Sequence, residues 1–217
     1  MSEAKVKEQG NVPAVSTASI IKDAITLMLI TLVSAALLGF VNEITKEPIA
    51  RMQAQTKKDA YMAVFLTAAS IDSENEAVNA ALLNQRSVLD SAGLTTCSID
   101  EAAAALDSDG NVIGYCLLVT NSKGYGGDIT FAMGISKDGT IQGISFTTLS
   151  ESPGLGMEAE KSKFKDQFVG IKADEVTYSK TGASAENEID AISGATITTR
   201  AVTNGVNAGI AFAKTIG

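Results

Sequence analysis

Glu188-Ile189-Asp190-Ala191-Ile192-Ser193-Gly194-Ala195-Thr196-Ile197-Thr198-Thr199-Arg200, near the C-terminus, contains a change of structural period. Acidic and apolar residues alternate up to Asp190, a Ser-Gly-Ala-Thr step follows, and Val202, Val206 and Ile210 then recur every four residues. That pattern predicts a strand, a tight turn and a helix beginning around Thr196 to Thr199. The first turn of a helix offers unpaired backbone N–H groups and a partial positive charge. Here Ser193, Thr196, Thr198 and Thr199 crowd hydroxyls into the same place, and Gly194 permits close approach, so the stretch is suited to seat a phosphate. The same residues also fit an ordinary N-cap.

Working outward, paired strands precede this stretch. Ala102 to Leu106 and Val112 to Thr120 flank Asp107-Ser108-Asp109-Gly110-Asn111, while Ile129 to Ile135 and Ile141 to Leu149 flank Ser136-Lys137-Asp138-Gly139-Thr140. Asp-Gly between β-prone runs is a hairpin signal, so two consecutive hairpins and an antiparallel sheet are expected. Lys123-Gly124-Tyr125-Gly126-Gly127 joins them, and its glycines open backbone conformations closed to other residues. After the second hairpin comes Ser150-Glu151-Ser152-Pro153-Gly154-Leu155-Gly156-Met157, followed by a segment, Glu158 to Phe168, that reads as a helix with Phe164 and Phe168 on one face. A Pro-Gly-x-Gly turn leaves room for a flat ligand. Paired with the Ser-Gly-Ala-Thr turn, it predicts one cleft with a phosphate at one end and a planar ring nearby.

Toward the N-terminus, Ala24 to Val41 runs for 18 residues without a charge. At about 1.5 Å per residue this is just long enough to cross about 30 Å of hydrocarbon. The small residues Ser34, Ala35 and Ala36 lie inside the run instead of after it, which favours an uncleaved signal-anchor over a cleaved signal peptide. Met1 to Ser19 is polar and is expected to be unstructured. Pro48 suits the first turn of a stalk helix over Ile49 to Leu66, and a shorter helix is expected from Ala77 to Leu89 with Gly93 at its end. The fold class is therefore α+β, divided as 1–23 tail, 24–41 transmembrane helix, 42–100 stalk and connecting helices, and 101–217 sheet domain. Lys5, Lys7 and Lys22 precede the span and Lys46, Arg51, Lys57 and Lys58 follow it, so basic flanks do not choose an orientation.

Composition bounds the function. In 217 residues the formal charge is −8, which argues against nucleic acid as a partner. Histidine is absent, so His acid–base chemistry, His metal ligation and His haem ligation are excluded, and two cysteines, Cys97 and Cys116, cannot make a four-thiolate metal site. No catalytic residue and no metal site is assigned. The two thiols are either one disulfide or two free buried groups.

Asp190-Ala191-Ile192-Ser193-Gly194-Ala195-Thr196 resembles the Asp-x-x-(Ser/Thr)-Gly-Ala-Thr flavinylation motif of FMN-binding domains. With Gly-Tyr-Gly-Gly, an Asp-Gly hairpin and Ser-Pro-Gly-Leu-Gly in the same order upstream, Glu101 to the C-terminus resembles the domain shared by two proteins. These are the G subunit of Rnf-type ferredoxin:NAD oxidoreductases and the C subunit of sodium-pumping NADH:quinone oxidoreductases. One membrane helix, a short stalk and a single such domain look most like the G subunit.

The resemblance implies that a flavin transferase links FMN covalently, through its phosphate, to Thr196. It implies that Ser193, Gly194, Ala195 and Thr199 surround the phosphate, that Gly154, Leu155 and Gly156 lie along the ring, that Tyr125 forms a wall, and that Asp190 serves transferase recognition or the turn. Glu151-Ser152 stands where relatives often have Glu-Thr. Relatives also often carry a histidine shortly before this turn, where this chain has Leu149 or Ser150, so no histidine role transfers. The implied function is an electron-carrier subunit, not a stand-alone catalyst. It would work with other membrane and soluble subunits of a complex that couples electron flow from ferredoxin to NAD with sodium or proton translocation. Residues 1–23 would be a cytoplasmic tail and the flavin domain would lie outside the cytoplasm. The competing expectations are the C subunit of the quinone-reducing pump, and a membrane-tethered binding module without cofactor.

Overall fold

The computed structural model describes residues 17–216, the side chains at 50, 53 and 54 excepted. The chain divides into two compact units, which meet between Met52 and Gln53. In the first, helix α1 (Thr17–Val64) begins, and its stretch Thr17–Ile49 is long and apolar enough to cross a membrane, with its side chains exposed. The helix differs from the sequence expectation at both ends of the span. Of the expected unstructured tail, 1–16 lies outside the described residues, while Thr17 to Ser19 is already helical. No proline or glycine between Thr17 and the apolar run stops helix propagation upstream. Pro48, expected to open a separate stalk helix, instead lies inside α1. Proline at such a position forgoes one backbone hydrogen bond, at a cost of about 3 kcal/mol.

In the second unit a five-stranded antiparallel meander is formed by β1 (Ser70–Asp72), β2 (Cys97–Leu106), β3 (Val112–Asn121), β4 (Ile129–Ser136) and β5 (Ile141–Leu149), neighbours in sequence being neighbours in the sheet. Both Asp-Gly segments are hairpin turns, with Gly110 and Gly139 at positive φ. β2 begins earlier than its apolar run because Ser98 to Glu101 pairs with β3 across a register shift beside Asp100. β1 was not legible beforehand, being three residues long and paired only with the far end of β2.

One face of the sheet carries Leu117, Val119, Phe131, Met133 and Ile135 against α2 (Glu76–Ser91) and α4 (Thr196–Ala213). Helix α2 ends at Gly93 as expected: Gly93 N–H donates to Asp90 O at 3.1 Å and Leu94 N–H to Leu89 O at 2.8 Å, which is the Schellman pairing. Along α4 the buried Val202, Val206 and Ile210 face the sheet, and Gly205 leaves space that the Phe131 ring fills, since a Cβ there would come within 2.8 Å of that ring. The opposite face is lined by small residues, Ala105, Cys116 and Ala132 among them, and receives the last turns of α1 through Ala60, Tyr61, Val64 and Phe65. Cys97 packs in the first cluster and Cys116 in the second, so the thiols lie on opposite faces, and both are free and buried.

The segment after β5 is the main departure. Glu158 to Phe168 is not one helix but a 3-10 turn (Gly156–Glu160), a four-residue α3 (Ser162–Lys165) and a second 3-10 turn (Asp166–Phe168). Lys161 has extended backbone, φ −74° and ψ 146°, which breaks the helix. Phe164 and Phe168 still meet edge to face, with ring centroids 5.5 Å apart. Beyond them β6 (Thr177–Ser179) pairs in parallel with β7 (Glu188–Asp190), and β7 leads into α4.

Candidate functional site

In a meander the loop after β3 and the segment after β5 leave the same end of the sheet. Helix α4 crosses the sheet and brings its N-terminus to that end. Three chain segments distant in sequence therefore converge: Lys123–Gly127, Ser150–Met157 and the Ala191–Ala195 turn. Between them lies a cavity of about 380 Å³ lined by Tyr125, Glu151, Ser152, Leu155, Gly156, Gly194, Ala195, Thr196, Ile197 and Thr198.

The buried carboxylate of Glu151, only 8% exposed, bolts these segments together. Its Oε1 accepts hydrogen bonds from the N–H groups of Tyr125 at 2.8 Å and Gly126 at 3.4 Å, and its Oε2 accepts one from Thr198 Oγ1 at 3.0 Å. Gly156 lies against this arrangement: a Cβ there would come within 2.5 Å of Glu151 Oε2 and 2.6 Å of Thr198 Oγ1. Gly126 backs onto the Ser150 carbonyl so closely that no side chain fits. Thus the glycines at 126 and 156 serve close approach of backbone, while Gly194, at φ +75°, supplies a turn conformation that L residues rarely adopt.

Helix α4 begins without a side-chain cap. Its N-cap is Ala195, with φ −127° and ψ 51°. The first intrahelical bond runs from Thr199 N–H to Ala195 O at 3.0 Å, which leaves the N–H groups of Thr196, Ile197 and Thr198 as the open donors of the first turn. Thr199, expected at the phosphate, is turned inward: its hydroxyl donates to Ala195 O at 3.0 Å and accepts from Ile192 N–H at 3.0 Å, holding the turn in shape. Thr198 is committed to Glu151. Thr196 is therefore the threonine of the three that lines the cavity with a hydroxyl not engaged among the described residues. The rim is apolar and exposed: Tyr125 is 70%, Leu155 45% and Ile197 49% accessible.

The structure brings together Tyr125, Glu151, Ser152, Leu155, Gly156, Gly194, Ala195 and Thr196 of the residues singled out in the sequence. Ser193, Gly154 and Asp190 line an adjoining hollow of about 760 Å³ with Lys161, Lys163 and Lys180. Asp190 splints the approach to the turn. Its Oδ1 accepts from Ala183 N–H at 2.6 Å, and its own N–H donates to Gln167 Oε1 at 2.7 Å. Ile197 was missed as a site residue, and Thr198, counted among the hydroxyls at the helix start, is bonded to Glu151 instead of facing a phosphate. Nothing local marks that partner, which is 47 positions away.

Two family models match the chain: an FMN-binding domain over residues 124–211, and the RnfG N-terminal region over residues 14–64. The G subunit of the Na(+)-translocating ferredoxin:NAD(+) oxidoreductase complex of Acetobacterium woodii is 35% identical over 88% of this chain and 90% of that protein. The G subunit of the ion-translocating oxidoreductase complex of Methanosarcina acetivorans is 31% identical over 89% of this chain and 94% of that protein. The chain belongs to this G-subunit family. Among solved structures, the C subunit of the Na(+)-translocating NADH-quinone reductase of Parabacteroides distasonis is 26% identical, with a TM-score of 0.45 over 59% of this chain and 67% of that one. For a member of this family with an FMN-binding domain, the cavity satisfies the ligand's chemistry at both ends. Open amide donors on α4 suit a phosphate, and the apolar rim with glycine-backed walls suits a flat ring.

Proposed function

We propose that the chain is the membrane-anchored electron-carrier subunit of an ion-translocating ferredoxin:NAD oxidoreductase complex, with FMN joined covalently through its phosphate to the Thr196 hydroxyl. The observation that carries this reading is the position of Thr196: a half-buried residue on the cavity wall, first in a helix with three open amide donors, with its hydroxyl unengaged among the described residues. FMN, when bound, supplies one- and two-electron transfer.

The chain's own residues do the rest. The α4 amides hold the phosphate oxygens and the partial positive charge of the helix terminus offsets their charge. Gly194 keeps the turn clear of Leu155, to whose Cδ2 an added Cβ would come within 3.0 Å. Leu155, Ile197 and Tyr125 offer the ring apolar contact at the rim. Ser193, Gly154 and Asp190, on the adjoining hollow, fit recognition by a flavin transferase during maturation. Such a transferase working outside the cytoplasm requires residues 53–217 on that side and the N-terminus within. The other subunits of the complex supply the ion path, since the apolar run of α1 from Ala24 to Val41 has no ionisable residue.

Denaturing gel electrophoresis of the native chain, viewed by flavin fluorescence, tests the proposal. The band fluoresces and its mass exceeds that of the bare polypeptide by roughly 440 Da, the increment for FMN esterified with loss of water. Thr196→Val abolishes both signals. A non-fluorescent native band of unmodified mass would favour a cofactor-free binding module, and persistence of the signals in Thr196→Val would move the acceptor elsewhere.

A further inference from the structure

We infer that Glu151 is a fixed negative charge that lowers the reduction potential of the flavin held in the cavity; the inference rests on the FMN reading above. The Glu151 carboxylate is almost wholly buried, and all three of its hydrogen-bond donors are neutral: two backbone amides and one threonine hydroxyl. Among the described residues it makes no ion pair: the chain's salt bridges lie at other carboxylates, from Glu47 to Asp174. None of these donors carries a formal charge that would offset that of the carboxylate. It lines the same 380 Å³ cavity as Thr196, so a ring tethered at Thr196 and lodged there lies beside it.

The cavity also carries charge of both signs. The open α4 amides present partial positive charge at Thr196, and Glu151, whose Oε2 accepts from Thr198 in the same helical turn, adds a full negative charge to the lining. Reduction adds electron density to the ring, and a nearby anion in a poorly solvated wall disfavours that step while leaving the oxidised, neutral ring almost untouched. The carboxylate thus does two separable things. Its hydrogen bonds position the Tyr125 loop against α4, and its charge sets how readily the flavin accepts electrons.

Two variants separate these roles. Glu151→Gln keeps the size and most of the hydrogen-bonding capacity but removes the charge, whereas Thr198→Val breaks one hydrogen bond and keeps the charge. Spectroelectrochemical titration of the purified, detergent-solubilised chain is expected to give a higher midpoint potential for Glu151→Gln and a distinctly smaller change for Thr198→Val, which disturbs the same loops without removing the charge. At separations set by a cavity of this size, the preference for the oxidised over the reduced flavin should fall by on the order of tenfold. For a two-electron couple tenfold corresponds to about 30 mV.

Should Glu151→Gln mature without flavin, the same quantity is read in a Thr196→Val background by titrating free FMN in its oxidised and reduced forms. The ratio of the two dissociation constants then narrows on adding Glu151→Gln. Equal shifts in both variants, or none in Glu151→Gln, would overturn the electrostatic role. A wild-type band without flavin fluorescence would instead sink the FMN reading beneath it, and the gel tells the two failures apart.

Discussion

Replacing Thr198 by valine removes one hydroxyl while nearly preserving shape, and the structure fixes what that should cost. Thr198 is 1% exposed, and its Oγ1 donates the 3.0 Å hydrogen bond that satisfies Glu151 Oε2. A methyl in its place leaves half of a buried carboxylate facing a hydrocarbon. A hydrogen bond to a charged group contributes about 1.5–3 kcal/mol, and an orphaned buried acceptor sits at the upper part of that range, so a loss of about 2–3 kcal/mol is expected. For a domain of this size each kcal/mol lowers the midpoint by about 2–4 °C, giving a drop of roughly 4–12 °C. Scanning calorimetry of the detergent-solubilised chain reads this directly, and Thr198→Ser, which keeps the hydroxyl, should recover most of it. In a double-mutant cycle with Glu151→Gln the two changes should be strongly non-additive, because both act on one bond. A Thr198→Val midpoint within about 1 °C of wild type, or clean additivity, would show that Glu151 does not hold the three loops together, and that the cavity owes its form to other contacts.

Two further outcomes follow from charge and burial. Hydrogen bonds from Ser136, then Lys172 and Thr140, hold the Asp138 carboxyl well below the usual carboxylate range. Because the folded-state value is the lower one, its stabilisation is present above the unfolded value near about 3.9 and is lost as pH falls through and below it. Asp138→Asn should therefore be less stable than wild type at pH 6, with the gap closing as pH drops below about 4; a gap constant down to pH 2.5 would contradict the assignment. Burial pushes the Cys97 thiol up to about 11 and the Cys116 thiol up to about 12. Neither should be alkylated by iodoacetamide at pH 8 until urea unfolds the domain, as mass spectrometry would show, and labelling in the native state would mean that the sheet faces open locally.

What could be read beforehand and what could not divide along the range of the interactions. The two Asp-Gly hairpins, the α4 periodicity and the Gly93 helix stop are decided by residues within a few positions of each other, and the structure contains all of them. The Ser-Gly-Ala-Thr turn and the Pro-Gly loop were legible for the same reason. Lys161 illustrates the limit: the residues from Glu158 to Phe168 have adequate helix propensity and place Phe164 and Phe168 on one face, yet the backbone turns extended at Lys161 and three short turns replace the single helix, a break that no residue in the segment announces. Pro48 errs in the opposite direction, because a local helix breaker lies within a helix that continues on both sides. The Glu151–Thr198 bond, β1 and the inward turn of Thr199 are tertiary outcomes with no local signature.

The shape of the cavity bears on why a covalent link would be useful. Its rim side chains Tyr125, Leu155 and Ile197 are all substantially exposed, so a ring resting on them buries only part of its surface, and reversible affinity from such contacts is small. Deepening the cavity would improve affinity but would wall the ring off from electron donors and acceptors. A bond at Thr196 removes that conflict, because a tethered ligand experiences a high effective concentration whatever the strength of its contacts. The three loops are then free to be shaped for access and for the electrostatics set by Glu151. On the proposed reading, the exposed rim and the hydroxyl left unengaged among the described residues are two parts of one arrangement. A deep pocket that could retain flavin reversibly would have had no use for Thr196 in that position.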